Sequence, residues 1–234
     1  MVKKLLSIFF VHLICAVVYS QNYISIGENS AQYPKIDSII APYKKIVDEE
    51  MERVIGYNHQ ILEKPLSVYF ANFALKEQAS EILLAEKNSK KNAKIPDLSF
   101  LTSGGIRRSL DVGEITVGDL YEIMPFDNKL ALIPADYLQI QCLVELKNKK
   151  KNLVVEGLEI NNKNIKINGE IVKKNKKYLI ATIDYLALGG DEISCFLENP
   201  DLEIREDWLF RDLLIRYIES EKDLRYPKNT AKNG

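Results

Sequence analysis

Histidine is scarce in this chain, which contains only His12 and His59 among its 234 residues. A site that holds two metal ions through several imidazoles cannot be assembled from so few. The sequence also lacks Gly-x-Ser-x-Gly, Cys-x-x-Cys, a phosphate-binding Gly-rich loop ending in Lys-Ser or Lys-Thr, and His-Glu-x-x-His. We therefore expect no catalytic residues and no cofactor in this polypeptide alone.

An excess of either charge is also missing. The 32 Lys and Arg residues nearly balance the 33 Asp and Glu residues, and no face or tail collects enough basic residues to bind a nucleic-acid polymer. No internal repeat is visible. With 46% hydrophobic residues, the chain is long enough for one sizeable core in one domain or at most two.

The N-terminus carries the pattern of an export signal. Lys3 and Lys4 precede an apolar run from Leu5 to Val18, and small residues allow cleavage before Gln21. We expect a periplasmic or extracellular protein that meets the membrane only through this segment. An uncleaved N-terminal anchor is the alternative.

Three cysteines occur in the sequence. Lipidation at Cys15 is a further alternative for the N-terminus, but Ile14 before it is bulkier than the small residue that this processing prefers. In an exported protein Cys142 and Cys195 form either one disulfide or two buried free thiols.

Apolar spacing predicts both helices and strands along the chain, and we expect an α+β fold, a layered domain with a mixed β-sheet and flanking helices. We divide the chain into a signal peptide (1–20), a leader and helix (21–66), the main domain (67–222) and a disordered tail (223–234). The predicted helices are Ile36–Val54, Asn72–Glu86, Leu120–Ile123, Pro134–Leu146 and Trp208–Glu219, with a charged connector at 87–94. The predicted strands are Asp97–Thr102, Ile115–Val117, Leu130–Ile133, short pieces within Leu153–Ile167, Ile171–Val172 and Tyr178–Leu186. The first helix is interpreted as either an integral layer or a docking element.

Three separated blocks carry the most specific signal: Thr102–Arg107 (TSGGIR), Pro125–Asn128 (PFDN) and Tyr185–Asp191 (YLALGGD). In this order they resemble the C-terminal, nucleotide-recognising domain of the 5'-nucleotidases, and the likeness extends from about Ser67 to about Ser220. The resemblance implies that the three loops converge at one edge of the sheet.

The first block supplies a tight turn and a cation. Gly104 and Gly105 allow the backbone to approach a ligand closely. The resemblance assigns Arg107 to substrate contact, where its guanidinium pairs with phosphate or sugar oxygens. Taken alone, the block also fits an ordinary turn with an Arg that bridges to a carboxylate.

The other two blocks supply rings and polar groups. Phe126 and Tyr185 are predicted to sandwich a nucleobase, although the family usually has Phe at the second place. Asn128 and Asp191 match polar positions that read base edges or ribose hydroxyls. Taken singly, each ring fits a core residue, and Asn128 and Asp191 fit a turn and a cap.

Departures from the family pattern lie upstream. Glu63 and Ser67 stand where family members commonly carry phosphate-binding arginines, and Lys76 replaces an acidic residue after Asn72. These differences predict weak phosphate affinity, or a nucleoside or another nucleotide-like ligand.

Family chemistry belongs to a metallophosphoesterase domain that holds two metal ions. We interpret His59, which follows Asn58, as an ordinary helix-end histidine and not as a remnant of that domain. The sequence thus predicts the nucleotide-recognition subunit of a split exported 5'-nucleotidase, with divalent metals only in a separate metallophosphoesterase chain. A stand-alone nucleoside or nucleotide receptor and a vestigial, non-binding domain are the alternatives.

Overall fold

The structure, a computed structural model, describes residues 34–87, 94–161 and 164–224. The predicted signal peptide, the leader up to residue 33, the connector at 88–93 and the tail from residue 225 lie outside the described residues. The chain divides into two units, Met1–Ile46 and Val47–Gly234. Residues 34–46 are helical, and Ile39, Tyr43 and Ile46 among them are exposed.

Six helices and eleven strands are described. The helices are α1 (Pro34–Met51), α2 (Lys64–Lys87), α3 (Val117–Ile123), α4 (Tyr137–Lys149), α5 (Asp184–Ala187) and α6 (Phe210–Glu221). The strands are β1 (Val54–Asn58), β2 (Leu98–Thr102), β3 (Gly113–Thr116), β4 (Lys129–Ala135), β5 (Leu153–Glu156), β6 (Leu158–Asn161), β7 (Asn164–Ile167), β8 (Glu170–Ile171), β9 (Tyr178–Ile183), β10 (Glu203–Leu209) and β11 (Asp223–Leu224). Single 3-10 turns occupy Gly190–Glu192 and Ser194–Phe196.

A five-stranded mixed sheet in the order β10-β4-β9-β2-β5 forms the centre of the larger unit. Strands β2 and β9 are parallel, whereas the other neighbouring pairs are antiparallel. Every residue of β2 is buried, as expected for a central strand whose two faces are both covered. The predicted α+β class with a mixed sheet and flanking helices is confirmed.

Two smaller sheets complete the fold, in the orders β11-β1-β3 and β6-β7-β8. The β6-β7-β8 sheet is an antiparallel meander, which agrees with the short β pieces predicted from Leu153 onward. Asp223 and Leu224 pair with β1, so the first two residues of the segment predicted as a disordered tail form a strand.

Local sequence signals set the starts of two helices. The Thr116 hydroxyl accepts a hydrogen bond from Asp119 N–H while the Asp119 carboxylate accepts one from Thr116 N–H, which caps α3. Asp136 and Gln139 cap α4 in the same reciprocal way. Such caps satisfy backbone donors that the first turn of a helix leaves unpaired.

The first-helix prediction was wrong at its end. Helix α1 ends at Met51, and Val54 opens β1 because it pairs with Thr116 of β3. His59 consequently follows a strand instead of ending a helix, and its Nε2 lies 3.1 Å from Asp223 Oδ1. The second helix begins at Lys64 and not at Asn72.

Three further boundaries were also wrong, two of them because strand pairing overrides local propensity. Pro134 does not open a helix: it pairs with Leu179 in the sheet, and α4 starts at Tyr137 after its Asp136 cap. Trp208 belongs to β10, because that strand pairs with β4 as far as Leu209. Strand β9 ends at Ile183 and not at Leu186, because the residues from Asp184 to Ala187 form helix α5.

Cys142 and Cys195 form a disulfide, with their Cα atoms 5.7 Å apart. It joins α4 to the 3-10 turn at Ser194–Phe196, so the structure selects the bridged alternative. In the described ranges every helix is either too short or too polar to traverse a lipid bilayer.

Candidate functional site

The direction of the strands brings the three sequence blocks together. Strands β2 and β9 run parallel in neighbouring positions, so they end at the same edge of the sheet. Antiparallel β4 begins at this edge, where Leu130 pairs with Ile183. The loops after β2, before β4 and after β9 therefore meet at one place.

A pocket of about 410 Å³ opens at this edge of the sheet. All seven residues proposed from the sequence line it, together with two others that the sequence did not single out. The lining residues are Thr102, Gly104, Gly105, Arg107, Phe126, Asn128, Ile183, Tyr185 and Asp191. Thr102 and Ile183 are the last residues of β2 and β9. Recognising that two parallel strands end at the same edge of the sheet would have identified both residues.

Asp191 occupies the centre of a hydrogen-bond network. Its carboxylate accepts hydrogen bonds from the hydroxyls of Thr102 and Tyr185, the latter at 3.0 Å. A Cβ at Gly104 would lie 3.2 Å from Asp191 Oδ2, so a side chain there would crowd the carboxylate. The first and third blocks are thereby joined at Asp191.

The loop that carries Asp191 has a backbone that few residues adopt. Gly189 has φ 97°, and Asp191 itself is left-handed at φ 50° and ψ 30°. Asp and Gly are among the residues that tolerate this region best. The loop closes on Tyr185, whose hydroxyl accepts a hydrogen bond from Asp191 N–H at 3.2 Å.

The two rings differ in exposure. Phe126 is half-buried and packs against the core, whereas Tyr185 on α5 is 50% exposed. The Arg107 guanidinium lies over the Phe126 ring, with Cζ 4.9 Å from the centroid. This cation–π contact fixes the cation beside a ring that lines the pocket. Among the described residues, no carboxylate forms an ion pair with Arg107.

Asn128 is oriented by a neighbour outside the pocket. Its Nδ2 donates to Asp184 Oδ1 at 3.1 Å, and the same oxygen accepts from Tyr185 N–H at 2.7 Å. One carboxylate thus holds a side chain of the second block and the backbone of the third.

The three upstream departures from the family pattern do not line the pocket. Ser67 is buried and its hydroxyl donates to Lys64 O at 2.9 Å within α2. Glu63 is exposed, and Lys76 Nζ lies beside Gly157. None of the three belongs to the described pocket lining, which contains one basic and one acidic side chain, Arg107 and Asp191.

Metal-binding side chains do not cluster in the part of the chain that the structure describes: no three His, Cys, Asp or Glu residues there are close enough to hold a metal ion.

Known proteins with similar sequence or structure were compared with the chain. It is 27% identical over 207 residues to protein UshA of Yersinia enterocolitica, a match that covers 83% of this chain and 36% of the relative. The chain therefore spans little more than a third of that relative's length.

Two solved structures show the same fold. The NAD nucleotidase of Haemophilus influenzae superposes with a TM-score of 0.61 at 17% identity, covering 85% of this chain and 41% of that one. The 5'-nucleotidase precursor of Thermus thermophilus gives a TM-score of 0.57 at 19% identity, covering 81% and 41%.

The family model described as the 5'-nucleotidase C-terminal domain matches residues 63–135. This range includes the blocks Thr102–Arg107 and Pro125–Asn128, and the fold adds Tyr185–Asp191 to the same pocket. Residues 63–135 of the chain therefore match the 5'-nucleotidase C-terminal domain, and the larger unit shares its fold with solved 5'-nucleotidase structures.

Proposed function

We propose that the pocket binds a nucleoside or nucleotide, and that the chain is the recognition subunit of an exported 5'-nucleotidase whose metal-dependent catalytic domain is a separate polypeptide. One observation carries the proposal: residues from three distant blocks, chosen on sequence alone, line a single pocket. Chance would not bring seven such residues to one edge of a sheet.

The chemistry of the lining fits such a ligand. Its volume of about 410 Å³ falls within the range of about 300–1,000 Å³ that is usual for small-molecule sites. Phe126 and Tyr185 offer flat faces to a base, and stacking of a base on an aromatic ring contributes about 1–3 kcal/mol. Asp191 and Asn128 offer polar groups that suit ribose hydroxyls or base edges.

Charge in the pocket favours a ligand with few phosphates. Arg107 is the one basic side chain among the described lining residues, and Asp191 opposes it. Because one cation and one opposing carboxylate offer little net attraction for several phosphates, we propose a nucleoside or a nucleoside monophosphate in preference to a polyphosphate.

Hydrolysis would then come from the partner. The sequence has only two histidines, too few to supply the ligands of a site that holds two metal ions. We therefore place the divalent metal ions on a separate metallophosphoesterase chain. A stand-alone receptor would bind the same ligand without this partner, and a vestigial domain would bind none.

Export is supported by two features of different kinds. The Lys-then-apolar pattern at the N-terminus fits a signal peptide, and the Cys142–Cys195 disulfide is typical of oxidising compartments. We propose a periplasmic or extracellular location.

Ligand binding is tested with a panel of nucleosides and nucleoside monophosphates on the wild type, Phe126→Leu and Phe126→Tyr. Leu keeps apolar bulk but removes the flat face, whereas Tyr keeps the ring. We expect Phe126→Leu to weaken binding about tenfold or more, because it removes one stacking contact, and Phe126→Tyr to bind nearly as tightly as the wild type. Titration calorimetry and ligand-induced shifts in Tm measure both.

The proposal fails if no member of the panel binds, or if Phe126→Leu binds as tightly as the wild type. The first result favours the vestigial domain, and the second places the ligand away from the ring.

A further inference from the structure

The loop that carries Phe126 is hydrogen-bonded to Arg211, in the first turn of α6. Arg211 Nη1 donates to the carbonyl oxygens of Met124 and Phe126, at 3.2 and 3.3 Å. Its Nη2 donates to Asp127 Oδ1 at 2.7 Å. One guanidinium therefore contacts three residues of the loop, and these residues lie on both sides of Pro125.

Burial makes these contacts strong determinants of position. Arg211 is only 5% exposed, and its guanidinium stacks over Tyr121 with Cζ 3.9 Å from the ring centroid. Asp127 is 78% exposed in its side chain, so this ion pair sits at the surface and contributes little. The two carbonyls are the important partners: the contact to Met124 is buried and the contact to Phe126 is partly buried, and a shielded acceptor that loses its donor carries a desolvation cost.

The same segment is tied at both of its ends. Phe210 N–H donates to Asn128 O at 2.8 Å, which fixes the end of the loop. Arg107 N–H donates to Ile123 O, also at 2.8 Å, which joins the Gly-Gly-Ile-Arg block to its start. Pro125 has no N–H with which to hold the loop from within. The middle of the loop depends on Arg211.

We infer that Arg211 is a positioning residue: it sets the place of the Phe126 ring without lining the pocket itself. Arg suits this task better than Lys, because its planar fork reaches several acceptors in fixed directions and stacks on an aromatic ring, whereas Lys is a single flexible point charge. The role of the ring in stacking a base rests on the proposed function, but the place of the ring is measurable without any ligand.

The test uses 4-fluorophenylalanine at position 126 and 19F NMR of the full chain without ligand. Arg211→Gln and Arg211→Lys are compared with Arg216→Gln, a matched control on the same helix whose exposed side chain lies over Trp208. We expect the Arg211 variants to shift, broaden or split the resonance, with Lys the milder, while Arg216→Gln leaves it unchanged. Circular dichroism checks that each variant is folded.

A second measurement follows binding of adenosine and adenosine monophosphate by the same proteins. We expect Arg211→Gln to weaken binding about tenfold, by analogy with the loss of groups that orient metal ligands, with Arg211→Lys between it and the wild type.

An unchanged 19F resonance in both folded Arg211 variants overturns the inference. So does global unfolding of both variants, since Arg211 would then hold the whole domain and not the loop. A changed resonance in a chain that binds neither probe leaves the positioning role intact and counts against the proposed function instead, so the two failures are distinguishable.

Discussion

The Tyr185 hydroxyl has a defined task in this chain. The resemblance leads one to expect Phe at this position, and Phe would keep the flat face. Here the hydroxyl both donates to Asp191 Oδ1 and accepts from Asp191 N–H. The ring that faces the pocket is therefore linked to the carboxylate beside it, which restricts the conformations of both before a ligand arrives.

Gly190 lets this arrangement close. A Cβ at this position would lie 2.5 Å from Tyr185 Cε1, Cζ and the carbonyl oxygen, whereas one at Gly105 would meet only Met124, at 3.8 Å. We expect Gly190→Ala to displace the Tyr185 ring, lower the free energy of unfolding by about 1–3 kcal/mol through overpacking, and weaken ligand binding. Gly105→Ala is the matched control and should leave stability nearly unchanged. Urea unfolding measures both, and equal stability of the two variants would contradict the close contact.

Motif spacing was sufficient to find the seven lining residues, because the three blocks that carry the family resemblance all reach the pocket. Thr102 and Arg211 were missed for different reasons. Thr102 contributes through its place at the end of β2, which depends on sheet topology. Arg211 acts from a helix more than eighty residues away in the chain, and no local pattern shows that α6 begins beneath the loop.

The second half of helix α6 packs against helix α2. Tyr217 packs against Phe70 and Phe73 of α2, with ring centroids 5.8 and 6.0 Å apart. The helix that positions the Phe126 loop is thus fixed to the longest described helix of the larger unit, which in turn covers β2 and β5. Rigid support of this kind keeps a binding loop in its functional geometry.

Burial raises the pKa of Tyr217 to about 12, and the nearby carboxylates of Glu221, Glu77 and Glu81 act in the same direction. Between about pH 10 and 12 the unfolded chain loses this proton while the folded chain keeps it, so stability falls as the pH rises. We expect Tyr217→Phe to remove this part of the alkaline loss, about 1 kcal/mol between pH 8 and pH 11. Urea unfolding of both proteins at pH 8 and pH 11 measures it. An equal alkaline loss in wild type and variant would contradict it.

Sequence periodicity predicted the existence of most helices and strands. It failed at boundaries that are set by pairing with a strand far away in the sequence. The helix at Leu120–Ile123 was predicted to start three residues too late, because the capping box of Thr116 and Asp119 lets α3 begin at Val117. Pro134 favours a helix start, yet its strand is central to the sheet. Its place in β4 depends on β9 and β10, which lie more than forty residues further along the chain.

At the scale of the whole molecule, the pocket opens at the edge of the central sheet where three loops meet. The Cys142–Cys195 bridge fixes the region that follows the third of these loops to α4. By the chain-entropy estimate, closing a loop with a sequence separation of 53 residues contributes about 4 kcal/mol. The edge of the sheet that carries the pocket is therefore supported by a covalent bridge, by hydrogen bonds and by aromatic contacts.

A recognition subunit of this kind should release phosphate only when its partner is present. We expect the recombinant chain with Mn²⁺ to release no phosphate from adenosine monophosphate, whereas the tagged chain purified from its own cells should carry a phosphatase activity that a chelator removes. With Phe126→Leu in the tagged chain, the KM of that activity should rise, because the ring binds the substrate while the metal site stays intact. Hydrolysis by the recombinant chain alone, or an unchanged KM in the variant, would contradict the division of labour between recognition and catalysis.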